Sequence, residues 1–338
     1  MERRNKHVQH DFRFRPRLNK KEKIIRCCVV CVCILGLAAG VAGLANYYRQ
    51  YRESEKGREE LRELWHEGDQ PTATAAADAG PAEATAAPEI TAARAEATPA
   101  AVTAPPVRAI ATETPALQAA LPVVRYPGNE YLLIGERFLR LRNLNSDIVG
   151  YLRVGNLLEE AVVQRDNSYY LDRDYQGKLN DNGAIFLDEA CDLRTRPYTL
   201  MLYGHNMKSG AMFGGLRKYE SVSYFRANPF LEFDSLYESG EYVIFAVSQV
   251  SLTSGKALFV PFATLYSCTP DERLETLDLL QRRSMINSKV DVRVDDQILL
   301  MVTCVGEDDE RRIVAARRLR EGETREELLR TVSTAVLR

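Results

Sequence analysis

Histidine and cysteine are both scarce in this sequence. Its 338 residues include four histidines, and His205 is the only one after His66. Of seven cysteines, four lie in one apolar run near the N-terminus, which leaves Cys191, Cys268 and Cys304 for the rest of the chain. Any chemistry that couples an imidazole to a thiol in the C-terminal part must therefore use His205 and one of these three cysteines.

The N-terminus has few acidic residues over its first 26 positions, and the 22 residues after them carry no charge. Residues 1–26 carry ten Lys/Arg against three acidic residues, yet the whole chain has net charge −2, which argues against a general nucleic-acid-binding surface. Residues 27–48 are uncharged, and as a helix residues 27–45 would rise about 28 Å, close to the hydrocarbon thickness of a bilayer. We predict a basic cytoplasmic tail over 1–26 and a single transmembrane helix over 27–48, with the remainder outside the cell.

A cleaved signal peptide is the alternative interpretation of this N-terminus, but the long basic head and the long apolar run favour an uncleaved anchor. The four cysteines of the run have no histidine or acidic partner, so we predict no metal site there, and no cofactor elsewhere. Packing or acylation near the cytoplasmic face would explain them. The cysteines of the run are Cys27, Cys28, Cys31 and Cys33.

Large apolar side chains are rare between the anchor and the C-terminal part. Residues 49–66 are rich in Arg and Glu and predict a juxtamembrane helix. Residues 68–122 consist mainly of Ala, Thr, Pro and Glu and contain no aromatic residue. Such a segment buries too little apolar area to offset its conformational entropy. We therefore predict a disordered tether over 67–125 and a folded domain over 126–338.

The folded domain shows many short apolar runs of strand length, separated by turn-rich pieces. Residues 130–144 have a helical apolar pattern, Thr269 and Pro270 signal a helix start, and Thr324 with Glu327 forms a capping-box pattern. This arrangement predicts a mainly β fold, a barrel or sandwich decorated by helices. The predicted strands cover residues 148–154, 161–164, 184–187, 198–203, 242–250, 298–303 and 313–319.

Three side chains at the ends of predicted strands form a candidate site. Cys304 ends the apolar run 298–303, Arg312 begins a second run, and His205 follows the run 198–203. A thiolate can attack a carbonyl, an imidazole can take and return the proton, and a guanidinium can stabilise the oxyanion. Sequence spacing alone does not bring the three groups together.

Other interpretations of these residues stay open from the residues alone. Cys304 can be an inert core thiol, and Cys268 competes as nucleophile because the helix start after it would lower its pKa. Cys191 and Cys268 can form a disulfide, although an odd cysteine count outside the membrane leaves one free thiol. Arg312 can be a surface residue, and the acidic residues 307–310 favour a solvated loop, with calcium binding as the alternative.

The order of motifs resembles that of class B sortases over about residues 130–320. The matching pieces are 147–152 (Asp-Ile-Val-Gly-Tyr-Leu), 162–171, 183–188, 203–207 (Tyr-Gly-His-Asn-Met), Met212-Phe213, Tyr224-Phe225, Thr303-Cys304 and 312–314. The helix expected near 270–286, just before the cysteine strand, also resembles the insertion of class B. One departure is Val302, where the family usually has serine.

The resemblance implies a closed, sortase-like β-barrel of about eight strands, with an N-terminal helix, an inserted helix and a C-terminal helix. It implies a cysteine transpeptidase on the outer face of a Gram-positive membrane. The enzyme would cleave a C-terminal sorting motif of secreted proteins and transfer the acyl group, through a Cys304 thioester, to a peptidoglycan-precursor or pilin amine. His205 would be the general acid/base, and Arg312 would stabilise the oxyanion. A peptidase that only hydrolyses and an inactive wall-facing binding module are the alternatives.

Overall fold

The computed structural model describes the backbone of residues 20–67, 121–305 and 307–338. The side chains of residues 22, 23, 304, 305, 307 and 308 are not described. Most of the predicted basic tail and tether, and the thiol of Cys304, therefore lie outside the described residues. The chain divides into two units, residues 1–59 and residues 60–338.

The described part of the first unit is a single helix. Helix α1 runs from Lys20 to His66, and its apolar side chains up to Leu44 are exposed. It is the one helix in the described residues that is long and apolar enough to cross a membrane. A long apolar surface without a packing partner is what a bilayer, rather than a protein core, would cover.

The last turns of α1 belong to the second unit. Leu61 is completely buried, and the ring of Trp65 stacks on Tyr151 with 4.0 Å between the ring centroids. Phe138 packs edge-on against the same indole at 5.2 Å. The compact unit thus begins at residue 60, whereas the sequence indicates a folded domain from residue 126 onwards.

The second unit is a closed β-barrel. In the described residues the strands are β1 (Ile148–Val154), β2 (Leu158–Val163), β3 (Ile185–Leu187), β4 (Thr199–Tyr203), β5 (Phe230–Ser235), β6 (Ser239–Ser251), β7 (Ile286–Asn287), β8 (Ile298–Val305), β9 (Glu307–Arg318) and β10 (Val336–Leu337). The barrel order is β1-β2-β3-β4-β8-β9-β6-β5, and β1 pairs with β5 to close it. Closure leaves no free sheet edge in the barrel, and it confirms the predicted fold class.

The helices lie between the strands and cover the barrel. After α1 the α-helices of the described residues are α2 (Glu136–Leu144), α3 (Val222–Ala227), α4 (Pro270–Arg283) and α5 (Arg325–Ser333). Short 3₁₀ helices cover Tyr169–Leu171, Leu193–Thr195, Phe213–Glu220 and Phe262–Tyr266. Capping boxes at Thr269 and Thr324 begin α4 and α5, as the sequence predicts, because each threonine hydroxyl satisfies a free backbone amide.

Helix α4 is the insertion expected before the cysteine strand, and a buried arginine ties it to the barrel. Arg273 is 1% exposed, and its Nη1 donates to the hydroxyl of Thr199 at 2.7 Å. Its Nη2 donates to the carbonyl of Tyr198 at 2.8 Å, and its Nε to that of Val294 at 2.9 Å. These bonds hold the inserted helix against the start of β4.

Candidate active site

The candidate site lies where three neighbouring barrel strands meet. Strands β4 and β8 are parallel, with Tyr203 paired to Val302, and β8 and β9 are antiparallel. His205 and Cys304 each lie two residues beyond this Tyr203–Val302 pair. The amide of Gly204 donates to the carbonyl of Val302 at 3.3 Å, which continues the parallel ladder to the residue before His205. The sheet register thus brings the backbones of His205 and Cys304 to one end of the barrel.

His205 is held by a backbone carbonyl. Its Nε2 lies 2.6 Å from the carbonyl oxygen of Leu171, in the 3₁₀ helix Tyr169–Leu171. A carbonyl oxygen can only accept, so this bond requires the proton on Nε2 and leaves Nδ1 as the basic nitrogen in the neutral ring. The carbonyl of His205 accepts from the amide of Phe213 at 3.0 Å. Both contacts fix the ring and the backbone that carries it.

Gly183 allows the histidine and the Leu171 carbonyl to approach each other. Its φ is +61°, and a Cβ there would lie 2.8 Å from the carbonyl oxygen of Leu171 and 3.0 Å from Cδ2 of His205. A side chain would therefore both strain the backbone and displace the ring. The Asn182-Gly183 pair signals a turn in the sequence, but not that the turn lies against the imidazole.

Arg312 is buried and only partly bonded. Its side chain is 8% exposed, and its Nη2 is paired with Oε1 of Glu220. Its Nε is buried and has no hydrogen-bond partner among the described residues, and the same holds for the hydroxyl of Thr303, the strand partner of Arg312. Donors in this state are uncommon in proteins and often mark a place where a ligand completes the bonding. The sequence shows no sign of the Glu220 contact.

The register also gives Arg311 a place beside the site. Arg311 is paired with Cys304, and Arg312 with Thr303. Paired residues on antiparallel strands lie on the same face of the sheet, so the two neighbouring arginines lie on opposite faces. Arg311 acts electrostatically on Tyr203: burial and the nearby Asp188 raise the pKa of Tyr203, and the Arg311 charge lowers it in part.

The other two cysteines of the barrel unit are free thiols, so the alternative of a Cys191–Cys268 disulfide is wrong. Cys191 is 3% exposed, and burial, with Asp188 and Asp192 nearby, raises its pKa far above the ordinary range. Burial also raises the pKa of Cys268, and this outweighs the opposing charge of Arg273. The expectation that the helix start lowers the pKa of Cys268 is therefore wrong, and both residues are poor thiolate nucleophiles.

The acidic residues 307–310 begin strand β9 and do not form the predicted loop. Ladders with β8 and β6 hold this segment in extended form. Asp309 bonds to Lys256 and accepts from the hydroxyls of Thr253 at 3.0 Å and Ser251 at 3.2 Å. Within the described side chains no group of three or more His, Cys, Asp or Glu residues has the arrangement of a metal site.

Sequence comparison identifies relatives of this barrel. The chain is 32% identical to sortase B of Listeria monocytogenes over 171 residues, which cover 50% of this chain and 67% of that protein. It is 29% identical to sortase B of Staphylococcus aureus over 170 residues, with the same two coverages. No family model matches the chain.

Solved structures agree with these relatives. A Bacillus anthracis protein described as similar to sortase B has a TM-score of 0.50 and 29% identity, covering 59% of this chain and 88% of its own. A sortase B from B. anthracis in complex with AAEK2 also has a TM-score of 0.50, with 28% identity and coverages of 59% and 89%. The chain belongs to the class B sortases, a family of cysteine transpeptidases.

Proposed function

We propose that this transpeptidase is anchored in the membrane by α1 and cleaves a sorting motif near the C-terminus of secreted proteins. It then joins the released acyl group to an amine of a cell-wall precursor or a pilin. Cys304 is the nucleophile, His205 the general acid/base and Arg312 the oxyanion-stabilising residue. The observation that carries the proposal is the Tyr203–Val302 register, which brings the backbones of His205 and Cys304 to one end of neighbouring strands.

The first half-reaction forms a thioester. The Cys304 thiol gives its proton to His205, and the resulting thiolate attacks the carbonyl carbon of the scissile peptide bond to form the tetrahedral oxyanion. When the oxyanion collapses, the carbon–nitrogen bond breaks, and a proton from His205 goes to the leaving amine. The acyl group is then held on Cys304, and the C-terminal part of the sorting signal leaves.

The second half-reaction reverses the roles of the same groups. The acceptor amine attacks the thioester carbonyl, and its extra proton passes to His205. The carbon–sulfur bond breaks and regenerates the thiolate, so the products contain one new amide bond and no net redox change. The Leu171 carbonyl supports this cycle, because it favours one tautomer of His205 and leaves Nδ1 to exchange the proton.

Arg312 supplies charge where the reaction develops it. A guanidinium stays protonated throughout the physiological range, and the buried Nε–H of Arg312 is a donor without a partner among the described residues. A donor aimed at a developing oxyanion typically contributes about 100-fold to 1,000-fold in rate.

The anchor fits a reaction in which both substrates are attached to the membrane. The basic residues before α1 favour a cytoplasmic N-terminus, which puts the barrel outside the cell. Confinement of the enzyme and its substrates near one surface raises their effective concentrations without any new contact.

Hydroxylamine provides a test that does not require the natural acceptor. The full chain in detergent is incubated with a library of sorting-signal peptides, and products are read by mass spectrometry. We expect a covalent acyl-enzyme on the wild type and peptide hydroxamates after hydroxylamine is added. The Cys304→Ala variant should give neither product, whereas Cys268→Ala should give both.

The same assay separates the proposal from its alternatives. A hydrolytic peptidase would release free acid even at high amine concentration, and an inactive binding module would form no acyl-enzyme. An acyl-enzyme that persists in Cys304→Ala and disappears in Cys268→Ala would move the nucleophile to Cys268 and overturn the assignment.

A further inference from the structure

One carboxylate reaches Arg312 from a different part of the barrel unit. Glu220 is the last residue of the 3₁₀ helix Phe213–Glu220, and it lies 92 residues before Arg312 in sequence. The side chain of Glu220 is 45% exposed, whereas that of Arg312 is 8% exposed. A carboxylate near solvent therefore pairs with a guanidinium that is almost completely buried.

The helix that carries Glu220 is also attached to His205. Its first residue, Phe213, is completely buried and donates its amide to the carbonyl of His205 at 3.0 Å. One short segment thus holds the backbone of the candidate acid/base at one end and the guanidinium of Arg312 at the other. A change in the packing of this segment would move both groups together.

The Glu220 contact fixes one end of a planar group. The guanidinium fork has five N–H donors in fixed relative positions, so binding Nη2 also sets the direction of Nε–H. That Nε–H is buried and lacks a partner among the described residues. Leaving a buried donor unbonded is unfavourable, and a ligand that accepts this hydrogen bond would remove that cost.

We propose that Glu220 is a positioning residue, which orients the Arg312 guanidinium so that its Nε edge faces the substrate peptide. This inference rests on the proposed role of Arg312 in transpeptidation. Glu220 itself does not touch the substrate. Without it, Arg312 samples other rotamers, and the transition state loses a preorganised donor.

The test compares Glu220→Ala and Glu220→Gln in the hydroxamate assay, with kcat and KM measured separately for one peptide. We expect Glu220→Ala to lower kcat about tenfold and to leave KM within about twofold, because the donor acts mainly on the transition state. Glu220→Gln keeps a neutral acceptor of the same shape and should lower kcat only about threefold. Glu275→Gln, an exposed glutamate on α4, is the matched control and should match the wild type.

A double-mutant cycle shows whether Glu220 acts through Arg312. In an Arg312→Ala background, followed by single-turnover acylation, Glu220→Ala should change the remaining rate by less than about twofold. A tenfold loss that persists in this background, or a loss that appears only in KM, would overturn the inference. So would a Glu220→Ala enzyme with wild-type kcat. A wild type that forms no acyl-enzyme would instead overturn the proposed function, so the two failures are distinguishable.

Discussion

Strand β9 carries two buried arginines that differ in how many of their guanidinium nitrogens donate hydrogen bonds. Arg317 is completely buried, and each of its nitrogens donates: Nε to the carbonyl of Asp291 at 2.7 Å, Nη1 to Glu323 at 2.7 Å, and Nη2 to Glu323 at 2.9 Å. Arg312, at the site end of the strand, has one ion pair, with Glu220, and its buried Nε has no partner among the described residues.

The difference separates a guanidinium that stabilises the fold from one that is available to a ligand. A buried cation with all of its donors bonded contributes to structure and is expensive to disrupt. A buried cation with a free donor lowers stability slightly and is retained where function uses it. Substitutions along β9 and a change of pH test this contrast.

Removing Arg317 should cause the largest loss of folding stability. Arg317→Ala removes a completely buried side chain and one of the two cations that Asp291 and Glu323 share, and Arg320 is the other. It should lower the free energy of unfolding by about 3 kcal/mol, because Arg320 still pairs with both carboxylates. Urea unfolding followed by circular dichroism measures this change, and activity per folded molecule should be retained. Arg330→Ala is the matched control, because its pair with Glu326 is exposed and should be worth less than about 0.5 kcal/mol. If Arg317→Ala lowers the free energy of unfolding by less than about 1 kcal/mol, Arg317 does not stabilise the fold as this comparison requires.

Removing Arg312 should lower activity strongly and stability only slightly, the reverse of the result expected for Arg317. Arg312→Ala should slow hydroxamate formation about 100-fold or more, since the oxyanion loses a charged donor. Its free energy of unfolding should change by less than about 1 kcal/mol, because Glu220 is half exposed and can be solvated when its partner is lost. Thermal unfolding and steady-state kinetics on the same preparation measure both quantities. A strongly destabilised variant with normal residual turnover would make Arg312 a structural residue.

The caps of α4 and α5 could be predicted from the sequence because a capping box is a local pattern of four residues. Strand β5 (Phe230–Ser235) is absent from the sequence-based prediction, since its short, partly charged run becomes a strand only by pairing with β1 and β6. The three candidate site residues were identifiable by resemblance. The Glu220 contact was not, because it joins residues 92 positions apart through the barrel.

Acid should weaken the Arg317 end of β9. Burial raises the pKa of Asp291 and of Glu323, but the bonds from Arg320 and Arg317 outweigh it, so both pKa values lie below their ordinary range. A lowered pKa in the folded state gives stability above the unfolded pKa, which is about 4, and this stability is lost as the pH falls through the folded value. Wild-type stability should therefore drop between about pH 4 and pH 2.

The Arg317→Ala variant supplies the comparison for this pH effect. Its carboxylates have lost a cation, so its stability should fall less than that of the wild type over the same acid range. Urea midpoints at about pH 6 and pH 3 measure the difference in stability between the wild type and Arg317→Ala. A stability difference that stays constant with pH would show that the Arg317 ion pairs do not account for the acid sensitivity.

The smallest effect is expected at the neighbouring Arg311. The register pairs Arg311 with Cys304 and Arg312 with Thr303, but of the two arginines it is Arg312 whose buried Nε has no partner among the described residues. Arg311→Gln should lower kcat/KM for hydroxamate formation by less than about threefold, the size expected for a long-range charge rather than a direct donor. Arg312→Gln, measured beside it, should lose far more. If the two losses are reversed, the guanidinium that serves the oxyanion belongs to Arg311, and the Glu220–Arg312 pair becomes part of the scaffold.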